Sequence, residues 1–81
     1  MKVRSSYTVA IGAGVGQLCL TGTQDAAIIR ASAGILWGKD LAGAVFPLNL
    51  NEVFQYTVQG QIYILNPGAA GVTVYIVELE A

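Results

Sequence analysis

Three glycines at positions 12, 14 and 16 follow a short apolar run in VAIGAGVGQL. Glycines at nearly that spacing let a dinucleotide-binding turn bring its backbone N–H groups against a pyrophosphate. The fingerprint needs its third glycine at position 17, where this chain has Gln17, and a helix after it. The residues that follow, LCLTGTQD, break at Thr21 and Gly22 within a few positions. Two mononucleotide-binding halves also exceed 81 residues. GAGVG therefore reads as a flexible turn joining two strands.

Nucleophilic chemistry finds no partners either. The chain has no histidine, so neither a Ser-His nor a Cys-His pair can be built. Cys19 is the only cysteine, which excludes an intrachain disulfide and makes a zinc knuckle implausible; set between Leu18 and Leu20, it reads as a small buried hydrophobe. Acid–base work needs paired carboxylates, but Asp25, Asp40, Glu52, Glu78 and Glu80 show no such spacing. They read as solubilising loop charges, with Glu78 and Glu80 at the frayed end of the last strand. A calcium loop needs several converging oxygens, which neither TQD nor GKD supplies. No catalytic, cofactor-binding or metal residue is expected, and the chain does not read as an enzyme.

Aromatic side chains are the remaining chemical handle. Such rings serve as core, as subunit contact, or as stacking surfaces for sugars. Trp37 stands out in GILWGKD, flanked by glycines and next to the adjacent opposite charges Lys39 and Asp40. Trp37, Tyr56, Tyr63 and Tyr75 are the expected interface residues.

The elements that must position these rings follow from punctuation. Turn-forming stretches recur every eight to twelve residues, at GAGVG, TGTQD, SAG, GKDLAG, NLNE, QGQ and NPGAAG, the spacing of an all-β sandwich or barrel. Strands are expected at 7–11, 17–21, 26–31, 35–37, 45–48, 53–58, 61–65 and 72–79. In QDAAIIRASAGIL a short helix competes, but β-branched Ile28 and Ile29 beside a turn favour a strand. The expected fold is all-β: a small antiparallel β-sandwich or jelly-roll-like barrel of about eight short strands. It forms one domain, 1–81, with 1–6 a candidate N-terminal arm.

Composition bears on partners. Residues Val53 to Val77 include no charge, and the whole chain is 54% hydrophobic but only 11% charged. In VTVYIVELE, Val72, Val74 and Ile76 face one side, and Thr73, Tyr75, Val77 and Leu79 the other. Both sides are largely apolar, so the strand must be covered twice or packed against another chain. A domain this small is marginal without a staple, and with no disulfide the remaining routes are unusually good packing and association. A homotrimer is expected. A net charge of −1 leaves no electrostatic footprint for nucleic acid or an anionic membrane. Gln59, Gly60, Gln61, Asn66, Pro67 and Gly68 interrupt the best apolar stretch, so no membrane span is expected. The glycine-broken N-terminus argues against a signal peptide.

Read in order, VFPLNLNEVFQYTVQGQIYILNPGAAGVTVYIVELE resembles the C-terminal half of small β-sandwich virion proteins encoded by tailed bacteriophages. The shared pieces are Phe46-Pro47-Leu48, Asn51-Glu52, the apolar strand from Val53, Gly60, Ile62-Tyr63-Ile64, the glycine-rich loop at 68–71, and the final strand at 74–79. Asn51 stands where that pattern has Pro or Gly. The resemblance implies a jelly-roll-like sandwich, trimeric on a capsid surface as a decoration or cement protein, made in the host cytoplasm and bound to the major capsid protein. The alternative it leaves open is a carbohydrate- or receptor-binding module of a phage tail or fibre.

Overall fold

The computed structural model of the chain describes residues 2–40, 42–50, 52–56 and 60–81. Eight strands run through them: β1 (Lys2–Ile11), β2 (Gly16–Thr21), β3 (Ala26–Ala31), β4 (Ile35–Gly38), β5 (Phe46–Leu48), β6 (Val53–Tyr56), β7 (Gln61–Leu65) and β8 (Val72–Glu80). The segment around Ile28 and Ile29 is strand, as β-branching there favours. The sixth expected strand extended to Val58, and its last two residues lie outside the described residues. Lys2–Ser6, the candidate arm, form the first half of β1, hydrogen-bonded to β8.

Two four-stranded antiparallel sheets result, in the orders β1-β8-β3-β6 and β2-β7-β4-β5. The pairing is nested: β1 and β8, β3 and β6, β2 and β7, and β4 and β5 lie side by side. One core fills the space between the sheets, with Ile11, Ile29, Val74 and Ile76 from the first meeting Leu20, Ile35, Ile62 and Ile64 from the second. Alternation does this sorting, since β8 buries Val72, Val74 and Ile76 while Thr73, Tyr75 and Val77 face outward. Each fully buried Ile contributes about 1.5–3 kcal/mol of transfer free energy.

Bulges adjust two strands. In β2 the register shifts between Leu18 and Leu20, which lets adjacent Cys19 and Leu20 both be buried. In β1 the shift lies between Val3 and Ser5, leaving Arg4 as the extra residue.

Loops at one end are stitched by a buried side chain. Asn66 is 2% exposed, and its Nδ2 is shared among the carbonyls of Ile11, Gly12 and Ala70 at 3.1, 3.2 and 2.7 Å. The main-chain carbonyl of Asn66 accepts from the N–H of Gly14, which sits at φ +70° where glycine is favoured. The turn GAGVG is thereby tied to the loop before β8. On the second sheet, Gly38 is overlaid by the 43–44 segment, and a side chain there would collide with the Gly43 carbonyl. Asp40 holds that loop by accepting from the Gly43 N–H at 2.6 Å.

Candidate functional site

The outer faces of the two sheets carry the apolar residues that the core does not. On the first sheet, register places Thr8, Tyr75, Arg30 and Val53 in one row and Ser6, Val77, Ile28 and Gln55 in the next. Arg30 is the single charge in these rows, and its guanidinium lies 4.8 Å from the centre of the Tyr75 ring, a cation–π contact. On the second sheet the rows are Leu18, Tyr63 and Gly38, then Gly16, Leu65, Leu36 and Pro47, without any charge. The described residues of the uncharged stretch from Val53 to Val77 are thus spread over both outer faces as well as the core.

The side of the sandwich where β5 and β6 form the sheet edges is aromatic. Trp37 projects from β4 between the layers, its ring 4.4 Å from Phe54 of β6 in a stacked contact and 5.0 Å from Phe46 of β5. Tyr56 meets the indole edge-on at 6.3 Å. Phe46 caps this cluster and remains 54% exposed, and on β6 Val53 is 63% exposed. Val45 and Leu50 extend the exposed apolar margin. Pro47 sits within β5 and has no N–H to offer, so β5 cannot be extended by regular pairing on that residue. Side-chain packing is the contact mode this margin can offer.

Polar chemistry gathers at the end of the sandwich where β1 starts and β8 finishes. Glu78 points inward, continuing the parity of Val72, Val74 and Ile76, and is 9% exposed. Arg4, aimed by its bulge, forms a salt bridge with it and donates to the Thr23 carbonyl at 2.8 Å and the Thr23 hydroxyl at 3.0 Å. The Ser5 hydroxyl is 3.4 Å from the same carboxylate. Burial alone would raise the Glu78 carboxyl, but the neighbouring Tyr7 hydroxyl and the Arg4 guanidinium, with its charge, outweigh it and hold the group below the usual carboxylate range. Burial, reinforced by Glu78, pushes the Tyr7 hydroxyl well above its ordinary value. Glu78 was expected as a frayed strand-end charge. That expectation is corrected because β8 stays paired with β1 as far as Lys2 and Glu80.

No protein-family model, curated protein or solved structure matches the chain. Its surface is therefore read from its own residues. Of the four expected interface residues, Tyr75 is exposed on the outer face of the first sheet and Tyr63 is half-buried on that of the second. Trp37 is half-buried in the aromatic cluster. Tyr56 is 6% exposed and belongs to the core, its hydroxyl against Gly60. Register puts Tyr75 and Tyr63 on the outer faces of different sheets and brings Trp37 and Tyr56 together between the sheets. The more exposed members of the margin, Phe46, Val45, Leu50 and Val53, were not singled out; the proline in VFPLNL, a mark of an edge strand, was the signal that points to them. Cys19 is buried, its thiol pushed up to about 11 by burial, and so stays neutral near pH 7. An open depression of about 280 Å³ beside Ala10, Gly12 and Thr73 has no ionisable side chain in its lining.

Proposed function

We propose that this chain is a non-enzymatic structural protein of a virion, a decoration or cement protein that binds the major capsid protein of a tailed bacteriophage and reinforces the head lattice as a homo-oligomer. The observation that carries this reading is the shortage of charge on the outer faces: Arg30 is the one charge in the rows described, and Val45, Phe46, Leu50, Val53 and Tyr75 leave apolar side chains exposed. A small protein that leaves this much apolar surface uncovered gains most by burying it against neighbours. The nested strand order is that of the eight-stranded jelly roll, an architecture used repeatedly in viral capsid and lectin domains. Fold alone does not assign function, so the surface bears the weight. Several weak apolar footprints presented together, three in the trimer expected from the sequence, bind a repeating lattice far more tightly than one.

Exposed Phe46 on the Trp37 cluster favours one second reading, a sugar-stacking module of a tail or fibre. Co-sedimentation of the purified protein with capsids lacking it, alongside a glycan array read by Trp37 fluorescence, separates the two. Saturable capture by capsids, lost in Phe46→Asp and Val53→Asp, is the expected result. A sugar-dependent fluorescence shift without capsid capture would establish the second reading, and silence in both assays would overturn both.

A further inference from the structure

Four strands form the edges of the two sheets, and two of them carry features that resist pairing. β2 is bulged between Leu18 and Leu20, and β5 is three residues long with Pro47 in its middle. Such interruptions are how sheet proteins blunt their edges. β1 differs. After the bulge at Arg4 it pairs with β8 in unbroken register from Ser5 opposite Glu78 to Ile11 opposite Val72, and among the described residues its other edge pairs with no strand. That free edge has no proline and no charge from Ser5 to Ile11. The blunting devices of β1, Lys2 and the bulged Arg4, are confined to its first residues.

We propose that the β1 edge binds the β1 edge of a second copy of this chain, antiparallel across a two-fold axis at Thr8, so that the two first sheets join into one. Charge placement selects this occupant. With Thr8 on the axis, Ser6 lies opposite the partner's Ala10 and Tyr7 opposite the partner's Val9, so every facing pair between Ser6 and Ala10 is neutral. Lys2 and Arg4 fall beyond the end of the partner's strand, against the turn after Ile11, and no like charges meet. Side-chain sizes agree with it, because the outward residues Ser6, Thr8 and Ala10 are small, and a Thr–Thr pair directly opposed is a favourable cross-strand contact. Tyr7 and Val9, packed against the core but only half-buried, gain cover from the partner's Val9 and Tyr7. The contact is isologous: alone it gives a dimer, and combined with a three-fold contact it gives a hexamer. It holds whatever the assembly binds.

Sedimentation equilibrium over a dilution series tests it, using the full chain with Thr8→Lys and Thr8→Glu variants. Thr8 is exposed on the outer face, so both variants keep the β-sheet circular dichroism of the parent. The parent is expected as a dimer or hexamer at micromolar concentration. Either variant alone opposes two like charges on the axis and weakens the contact by up to about fivefold. Mixing the two variants places Lys opposite Glu and restores association. A parent that is monomeric or trimeric, a Thr8→Lys chain that associates as tightly as the parent, or an equimolar mixture no tighter than its components would overturn the proposal. Capsid capture is scored separately: a trimeric parent overturns this contact and leaves the functional reading standing, a monomeric parent also overturns the homo-oligomer in that reading, and failed capture leaves this contact standing.

Discussion

Arg4 and Glu78 are partnered between β1 and β8 because a single extra residue in β1 aims the guanidinium at a carboxylate that the parity of β8 has turned inward. The pair ties the start of the chain to its last strand and, through Thr23, to the loop before β3.

Glu78→Gln is expected to cost about 1–3 kcal/mol, the range for leaving a partly buried partner unsatisfied. The folded carboxyl sits below its ordinary value of 4.5, so its stabilising contribution is fully present above that pH and is lost as pH falls through the lower, folded value. Calorimetric melting across acid pH should show parent and variant converging as the solution is acidified. A gap that stayed constant with pH would mean Glu78 is not a stabilising ion in the folded chain.

Outward and inward positions of one strand should respond oppositely to charge. Ile64 is fully buried in β7, and Ile64→Asp should unfold the domain, since an unpaired carboxylate cannot be hydrated there. Tyr75→Asp and Tyr63→Asp should stay folded and weaken the contacts made through the outer faces instead. Circular dichroism and light scattering read the two effects apart.

The aromatic margin divides in the same way. Phe54→Ala removes the ring stacked on Trp37 and should cost about 2–4 kcal/mol, with a red shift of the indole emission. Phe46→Ala removes a ring more than half exposed and should cost the isolated domain about 1 kcal/mol or less. Its larger effect is expected on binding to capsids, measured by co-sedimentation.

Asn66→Ala deletes the donor shared by three carbonyls and the Oδ1 that accepts from Gly68 N–H at 3.0 Å. A loss of about 2–4 kcal/mol is expected from several buried groups left unpaired at once. Hydrogen exchange should quicken together at Gly14, which donates to the Asn66 carbonyl, and at Gly68. A change at only one loop would show that Asn66 does not couple them.

Cys19 should resist aromatic disulfide reagents at about pH 8 until the chain unfolds, because burial both shields it and keeps it protonated. Rapid labelling of the folded protein would contradict the burial of this bulge.

Alternation and punctuation are local properties, and they made the strands legible. Val72, Val74 and Ile76 had to share a face because successive side chains on a strand point to opposite sides, and the turn stretches had to interrupt any longer element. Even the inward turn of Glu78 was present in that parity, though an acidic residue near the C-terminus reads more readily as a frayed end. What no local pattern holds is which strand lies beside which. KVRSS has no apolar alternation, and only pairing with β8 makes it a strand. Tyr56 and Tyr75 are both aromatic residues in strands, yet one is core and the other surface, because each sheet has a single inner face and long-range register decides which residues occupy it. Sheet order also left Phe46 on an edge and β1 with a free one. Those surfaces arise from contacts between residues far apart in sequence, so only the tertiary structure could decide them.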